Sequence, residues 1–289
     1  MMSRVGRLVR FEMAKLFRQK LPYVVLFPIV ASILLVMVRG LDVQGEAVAD
    51  PRIRNGFEYL ETSCLWALRL VSVFAVVIAS LSLSGEASQG TYRMILVRPV
   101  TRTDVFISKA LVIAVVVIVL FIATALLSYL MLHLVHGFWR DGSYLSPLNE
   151  GRYTLMGEEV LSDPNRAKEV LAADFRLAMT LSILPLLASG FFGLLISSIF
   201  DNTGAAVGLA MFLAIALYGF ATVDRQAGKY VFSHSLEYGL TVAKHRAEGY
   251  SDRKWEDEEI QRTWMVPLLS GVVFLGAAYG IFVKRDILT

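Results

Sequence analysis

The sequence predicts an all-α, polytopic membrane protein with six transmembrane helices, an N-terminal amphipathic interfacial helix and a polar cytoplasmic helix after the second span. Three observations carry this. The chain is 56% hydrophobic with a mean hydropathy of +0.58, where soluble domains are about 45–50% apolar. Its apolar residues are gathered into runs that approach or exceed the ~20 residues needed to cross a hydrocarbon core of ~30 Å. Its basic residues are spread unevenly over the segments between those runs. The 289 residues read as one transmembrane domain.

Residues 1–20 carry Arg4, Arg7, Arg10, Lys15, Arg18 and Lys20, while Val5, Leu8, Val9, Met13, Leu16 and Phe17 recur at helical spacing. That is a basic amphipathic helix suited to an anionic membrane surface. Glu12 falls inside its apolar stripe, an odd place for a residue whose only neighbour is lipid. The expected spans are Leu21–Val38, Leu65–Ser84, Ala110–Leu134, Leu177–Phe200, Ala205–Val223 and Trp264–Val283. The first has no small-residue cleavage site behind its basic leader and is expected to be retained. Asn202 and Gly204 break the chain between the fourth and fifth.

Orientation follows from charge. Residues 1–20, 85–109, 201–204 and 284–289 hold twelve basic and five acidic residues. The longer segments 39–63, 136–176 and 224–263 hold fifteen basic and twenty acidic. The positive-inside rule makes the first set cytoplasmic and the second extracytoplasmic, with both termini inside the cell (inner) membrane.

The stretch Gly85–Lys109 is the longest polar segment on the cytoplasmic side. Glu86, Gly90 and Arg93 stand at i, i+4 and i+7, one face of a helix. Pro99 cannot continue that helix and turns Arg98 away from helical angles. Thr101 and Asp104 have the spacing of a capping box just ahead of an apolar run. Glu86 has a second possible partner, a basic residue of the N-terminal helix, which would join the two elements into one lever.

The pattern Glu86…Gly90-Thr91-x-Arg93…Arg98-Pro99-Val100-x-Arg102…Lys109 resembles the segment after the second membrane helix of ABC-2 type (type V, ABCG-like) transporter permeases. Ser197-Ser198, the run Asp201–Leu217 and the basic ending Lys284-Arg285 are similar to that family's fourth-to-fifth helix hairpin and tail. The resemblance implies a permease subunit of an ATP-binding cassette exporter, made of two such chains, identical or not, and two separate ATPase subunits. It makes the polar segment a coupling helix, with Glu12, Glu86, Gly90, Thr91, Arg93, Arg98, Pro99 and Arg102 as ATPase-coupling residues. It places the pathway at the interface between permease chains near the second and fifth helices, where Arg69, Phe74, Val77, Met211 and Phe212 are candidate lining residues.

The chemistry that is missing agrees with an external energy source. No G-x-x-x-x-G-K-[ST] loop occurs, and Gly228-Lys229 is followed by Tyr230, so ATP and Mg would be bound by the partner and no cofactor by this chain. A single cysteine, Cys64, leaves no disulfide or cysteine-based metal site. His133 and His136, at i and i+3, lack a third ligand and are read as interfacial caps. No H-E-x-x-H supports a protease, and the basic residues sit where topology needs them, which leaves none for nucleic acid. Arg69, the one ionisable group recognised well inside a span, either snorkels to the outer interface or lines a cavity. The alternative is an ATPase-independent membrane carrier or a membrane-embedded enzyme, against which the scarcity of acidic residues in the spans argues.

The orientation is testable with single cysteines in a Cys64→Ser background. Cysteines at Asn55 and Ser251 should react with an impermeant maleimide in intact cells and one at Ser88 only after lysis. The inverse labelling pattern would reverse the topology.

Overall fold

A computed structural model describes residues 4–18, 30–31, 33–34, 56–90, 101–136, 164–223, 225–247 and 255–284. The described elements are helices: α1 (Arg4–Arg18), α2 (Gly56–Ser88), α3 (Arg102–His136), α4 (Pro164–Ile199), α5 (Thr203–Val223), α6 (Arg225–Gly228), α7 (Phe232–Ala247) and α8 (Asp257–Lys284). Five of them, α2, α3, α4, α5 and α8, are long and apolar enough to cross a membrane. The chain is therefore a multi-pass helical membrane protein. The first expected span, Leu21–Val38, lies outside the described residues except for helical positions 30, 31, 33 and 34, of which Ile33 is fully buried in the core.

Helices α2 and α4 form the centre. Their apolar windows are 56% and 67% buried, against 28% for α3 and 22% each for α5 and α8. Between helices in lipid no hydrophobic force remains, so contact depends on close packing and hydrogen bonds. The α2–α4 seam uses both. Ser189, Gly193 and Ser197 recur every four residues along one face of α4. A Cβ on Gly193 would collide with the carbonyl oxygen of Val76, so only glycine lets the backbones come this near. One turn on, Ser197 Oγ donates to Ser80 O at 2.6 Å and accepts from the N–H groups of Leu83 and Ser84 at 2.9 Å each. A side chain of α4 thus sits within the hydrogen-bond ladder of α2, a recognised cause of local helix bending.

The five expected spans that fall on described helices are each longer in the structure. The second begins at Gly56 rather than Leu65, the third at Arg102 rather than Ala110, the fourth at Pro164 rather than Leu177, the fifth at Thr203 rather than Ala205, and the sixth at Asp257 rather than Trp264. The expected boundaries followed hydropathy and so stopped at the first charged residues, whereas the helices continue through them. The fourth ends at Ile199, one residue before the expected Phe200, and of the segment 85–109 residues 85–88 belong to α2 and 102–109 to α3.

Two local expectations are decided by hydrogen bonds. The capping box is present: Thr101 N–H donates to Asp104 Oδ2 at 3.2 Å, and Asp104 N–H to Thr101 Oγ1 at 3.1 Å. Asn202 caps α5 through Oδ1, which accepts from Ala205 N–H at 3.1 Å. The helical face shared by Glu86, Gly90 and Arg93 is corrected. Gly90 has φ +64° and its N–H donates to Ala87 O, so it closes α2 in the left-handed conformation and does not share a helical face with Glu86, while Arg93 lies outside the described residues.

Segment 224–263, expected to be an outer loop, contains a buried helix. Helix α7 buries Phe232, Leu236, Leu240, Val242 and Ala243, packs on α4 and α2, and brings Gly239 so near α4 that a Cβ there would lie 3.0 Å from Ala178 Cα. Segment 136–176 likewise contains the first turns of α4.

The seam gives a direct test. Gly193→Ala forces the α2 backbone away and should cost about 1–3 kcal/mol, the usual penalty of overpacking. Gly208→Ala, where a Cβ meets nothing within 4 Å, should be neutral or slightly stabilising. Thermal unfolding of the detergent-purified chain should separate the two, and equal midpoints would show that the seam is slack.

Candidate functional site

At the end of the bundle where α1 lies, four charged side chains from three helices meet. Lys109 is the eighth residue of α3, and only 1% of its side chain is exposed. An ammonium buried alone would be prohibitively unstable. Its three N–H donors are matched by three acceptors: Glu86 Oε1 of α2 at 2.9 Å, Ser82 O of α2 at 3.0 Å and Glu12 Oε2 of α1 at 3.3 Å. Lys15 of α1 adds a second cation, 2.6 Å from Glu86 Oε1. Two lysines and two glutamates make the group formally neutral. It borders a cavity of about 260 Å³ that Gly85, Gln89 and Thr203 also line.

The amphipathic helix is thereby fastened to the bundle. Glu12, out of place in an apolar stripe facing lipid, is in place against Lys109. Glu86 takes the second of its expected roles, as partner of a basic residue of α1. With 3% of its side chain exposed, it is turned inward and is not a surface docking group here. Further hydroxyl bonds tie this end of α2 to α5: Ser88 Oγ and Thr203 Oγ1 lie 2.7 Å apart, and Thr203 Oγ1 donates to Ser84 O at 3.3 Å.

Arg102, half-buried, donates from Nη1 to Val283 O at 3.0 Å, placing a cation on the C-terminus of α8. Gly90 is the cap described above. Thr91, Arg93, Arg98 and Pro99 lie outside the described residues. Phe74 packs against the main core, Val77 is half-buried, and Met211 and Phe212 are exposed on α5. His133 is exposed near the end of α3.

Toward the opposite end, Arg69 has an acidic partner. Its guanidinium grips Glu237 of α7 through Nε–Oε1 at 2.5 Å and Nη2–Oε2 at 2.6 Å, and lies over the Trp66 ring at 4.8 Å. Next to it Ser72 Oγ and Tyr218 OH are 2.8 Å apart. A second grip joins α7 to α4, where Asp174 accepts from Arg246 Nε at 2.6 Å and Trp255 Nε1 at 2.8 Å. On α7 burial lowers the His234 pKa, against the opposite pull of Glu237 and Glu259. The helices run beyond the expected spans, and in those extensions Glu61, Glu86, Lys109 and Asp174 are all buried. Cys64 is also fully buried.

Sequence reasoning did not select Lys15, Lys109, Asp174, Glu237 or Arg246 as site residues. Lys109 carried a usable signal, a lone cation at the head of a long apolar run.

Residues 26–288 match the family described as "Protein of unknown function (DUF2705)". The chain belongs to this family. It is also similar to the uncharacterized protein YhcI of Bacillus subtilis (strain 168), with 24% identity over 231 residues. That match spans 75% of this chain and 65% of the relative's length.

Because Lys109 and its partners are buried, a double-mutant cycle tests the cluster. Lys109→Met alone leaves Glu12 and Glu86 with Lys15 as the one remaining cation of the cluster and should cost about 3–5 kcal/mol. Glu86→Gln in the same chain should recover a good part of that loss. Additive losses in unfolding free energy would show that the pair does not interact.

Proposed function

We propose that this chain is the membrane-spanning permease subunit of an ATP-binding cassette exporter of the ABC-2 type, working with a separate ATPase subunit and a second permease chain. The observation that supports this best is the Glu12–Lys15–Glu86–Lys109 cluster. It joins the amphipathic helix to the ends of two membrane helices, beside the stretch 85–103 whose sequence resembles an ATPase-docking segment. Force applied by a partner at α1 or at that stretch would reach α2 and α3 together through buried ion pairs. In this reading the chain has six spans, counting Leu21–Val38, lies in the cell membrane and keeps both termini in the cytoplasm. The apolar exposed faces of α3, α5 and α8 leave room for lipid and for a second permease chain.

One observation favours the alternative of an ion-coupled carrier: Glu61 is fully buried in α2, and a carrier needs a titratable group inside the membrane. Asp174 does not add to that case, since Arg246 and Trp255 occupy both its oxygens.

Co-purification separates the two. The tagged chain should bring down an ATP-hydrolysing subunit, while the isolated chain binds no nucleotide. Glu86→Ala removes one member of a buried ion-pair cluster within the chain, a loss of about 3–5 kcal/mol in stability, and should loosen α1 from α2 and α3 and so uncouple transport from ATP hydrolysis. Arg140→Ala, in an outer segment, should leave the coupling intact. If Glu86→Ala and Arg93→Ala both hold ATPase binding and transport at wild-type levels, or if the isolated chain binds ATP stoichiometrically, the permease reading is lost.

A further inference from the structure

At the α1 end of the bundle a groove of about 730 Å³ runs between the last turn of α4 and the last turns of α8. Ser198 and Ile199 form one wall, and Ala277, Gly280, Ile281 and Lys284 the other. The four α8 residues stand at i, i+3, i+4 and i+7, a single face. Ala277 and Gly280 keep that wall low: a Cβ built on Gly280 meets nothing within 4 Å. The groove is an open channel on the helix surface, not an enclosed cavity. Its walls are largely apolar, and the one charged residue among them, Lys284, is exposed in the last turn of α8.

An acyl chain lying in such a groove gains little hydrophobic energy, because bilayer tails are as apolar as its walls. Selectivity must come from the head group. Lys284 complements the negative end of the α8 dipole, and Arg102 already occupies the Val283 carbonyl, which leaves the Lys284 ammonium to face outward. Asp201, two residues past α4, has the opposite charge, so any anion preference here rests on Lys284. Basic pockets between membrane helices commonly take anionic head groups.

We propose that this groove seats one acyl chain of an anionic phospholipid, with the lipid phosphate on Lys284. The site is independent of the transport reading, since it requires neither an ATPase nor a second chain.

Native mass spectrometry of the full chain in detergent, with phosphatidylglycerol or phosphatidylcholine added, tests it. The wild type should retain one phosphatidylglycerol about five-fold in preference to phosphatidylcholine, the effect of one basic residue near the surface. Lys284→Gln should erase that preference. Gly280→Leu fills the groove without a clash and should release the lipid. Gly276→Leu, equally unobstructed but outside the groove, should behave as wild type. Equal retention of the two lipids by the wild type, or an unchanged preference in Lys284→Gln, overturns the proposal. So does an equal effect of Gly276→Leu and Gly280→Leu on the mass of a dimer, which would make this face a contact between copies of the chain.

Discussion

The near contact of two backbones at Gly193 and Val76 constrains everything around it. In a bilayer helices are not driven together by water, so a helix is located by where it fits and where it bonds. Gly193 permits the approach, and Ser197 then enters the ladder of α2 and fixes its register against α4. Once that register is set, Glu86 and Ser88 are set as well, because they lie one to two turns further along α2. Ser88 meets Thr203 at the start of α5, and Glu86 meets Lys109 at the start of α3. The polar junction at the α1 end is thus a consequence of an apolar seam deeper in the bundle.

Three of the charged groups inside the bundle follow one rule. Lys109, Arg69 and Asp174 each meet opposite charge through short hydrogen bonds, and each joins elements distant in the sequence. Removing one partner of such a pair is costly, although the intact pair adds little net stability over an apolar substitute. What the pairs supply is placement. Arg69 and Asp174 hold α7 against α2 and α4, a helix whose own apolar face is too modest to locate it in a membrane.

Much of the architecture is legible in the sequence, and its failures have a common cause. Long apolar runs are visible as such, and five of the six expected spans correspond to helices. The capping box at Thr101 and Asp104 and the cap at Asn202 are short-range features that sequence spacing defines. Hydropathy fails where a charge is neutralised by a residue far along the chain. Asp174 looks like solvated loop because nothing local reveals Arg246 and Trp255, which surround it. Helix α7 is hidden in the same way: Ser233, Ser235 and Gly239 are buried, and Glu237 and Arg246 are half-buried and paired. Periodicity also misleads at Gly90, where i, i+4 arithmetic presumes a helix that the glycine ends.

The junction of α1 with the bundle is built from charge rather than from interlocked apolar side chains, and that choice has mechanical consequences. Apolar packing resists small displacement poorly in direction, since dispersion contacts have no preferred angle. An ammonium with three acceptors has a defined geometry in all three directions. Glu12 and Lys15, three residues apart on α1, hold opposite charges against Lys109 and Glu86. Rotating α1 about its own axis, or sliding it by a turn, would bring like charges together or leave Lys109 short of an acceptor. Lateral movement of α1 with the ends of α2 and α3 breaks none of these bonds. The cluster therefore permits one class of motion and penalises the others, and in the proposed permease that is the motion an ATPase at this end of the bundle has to impart.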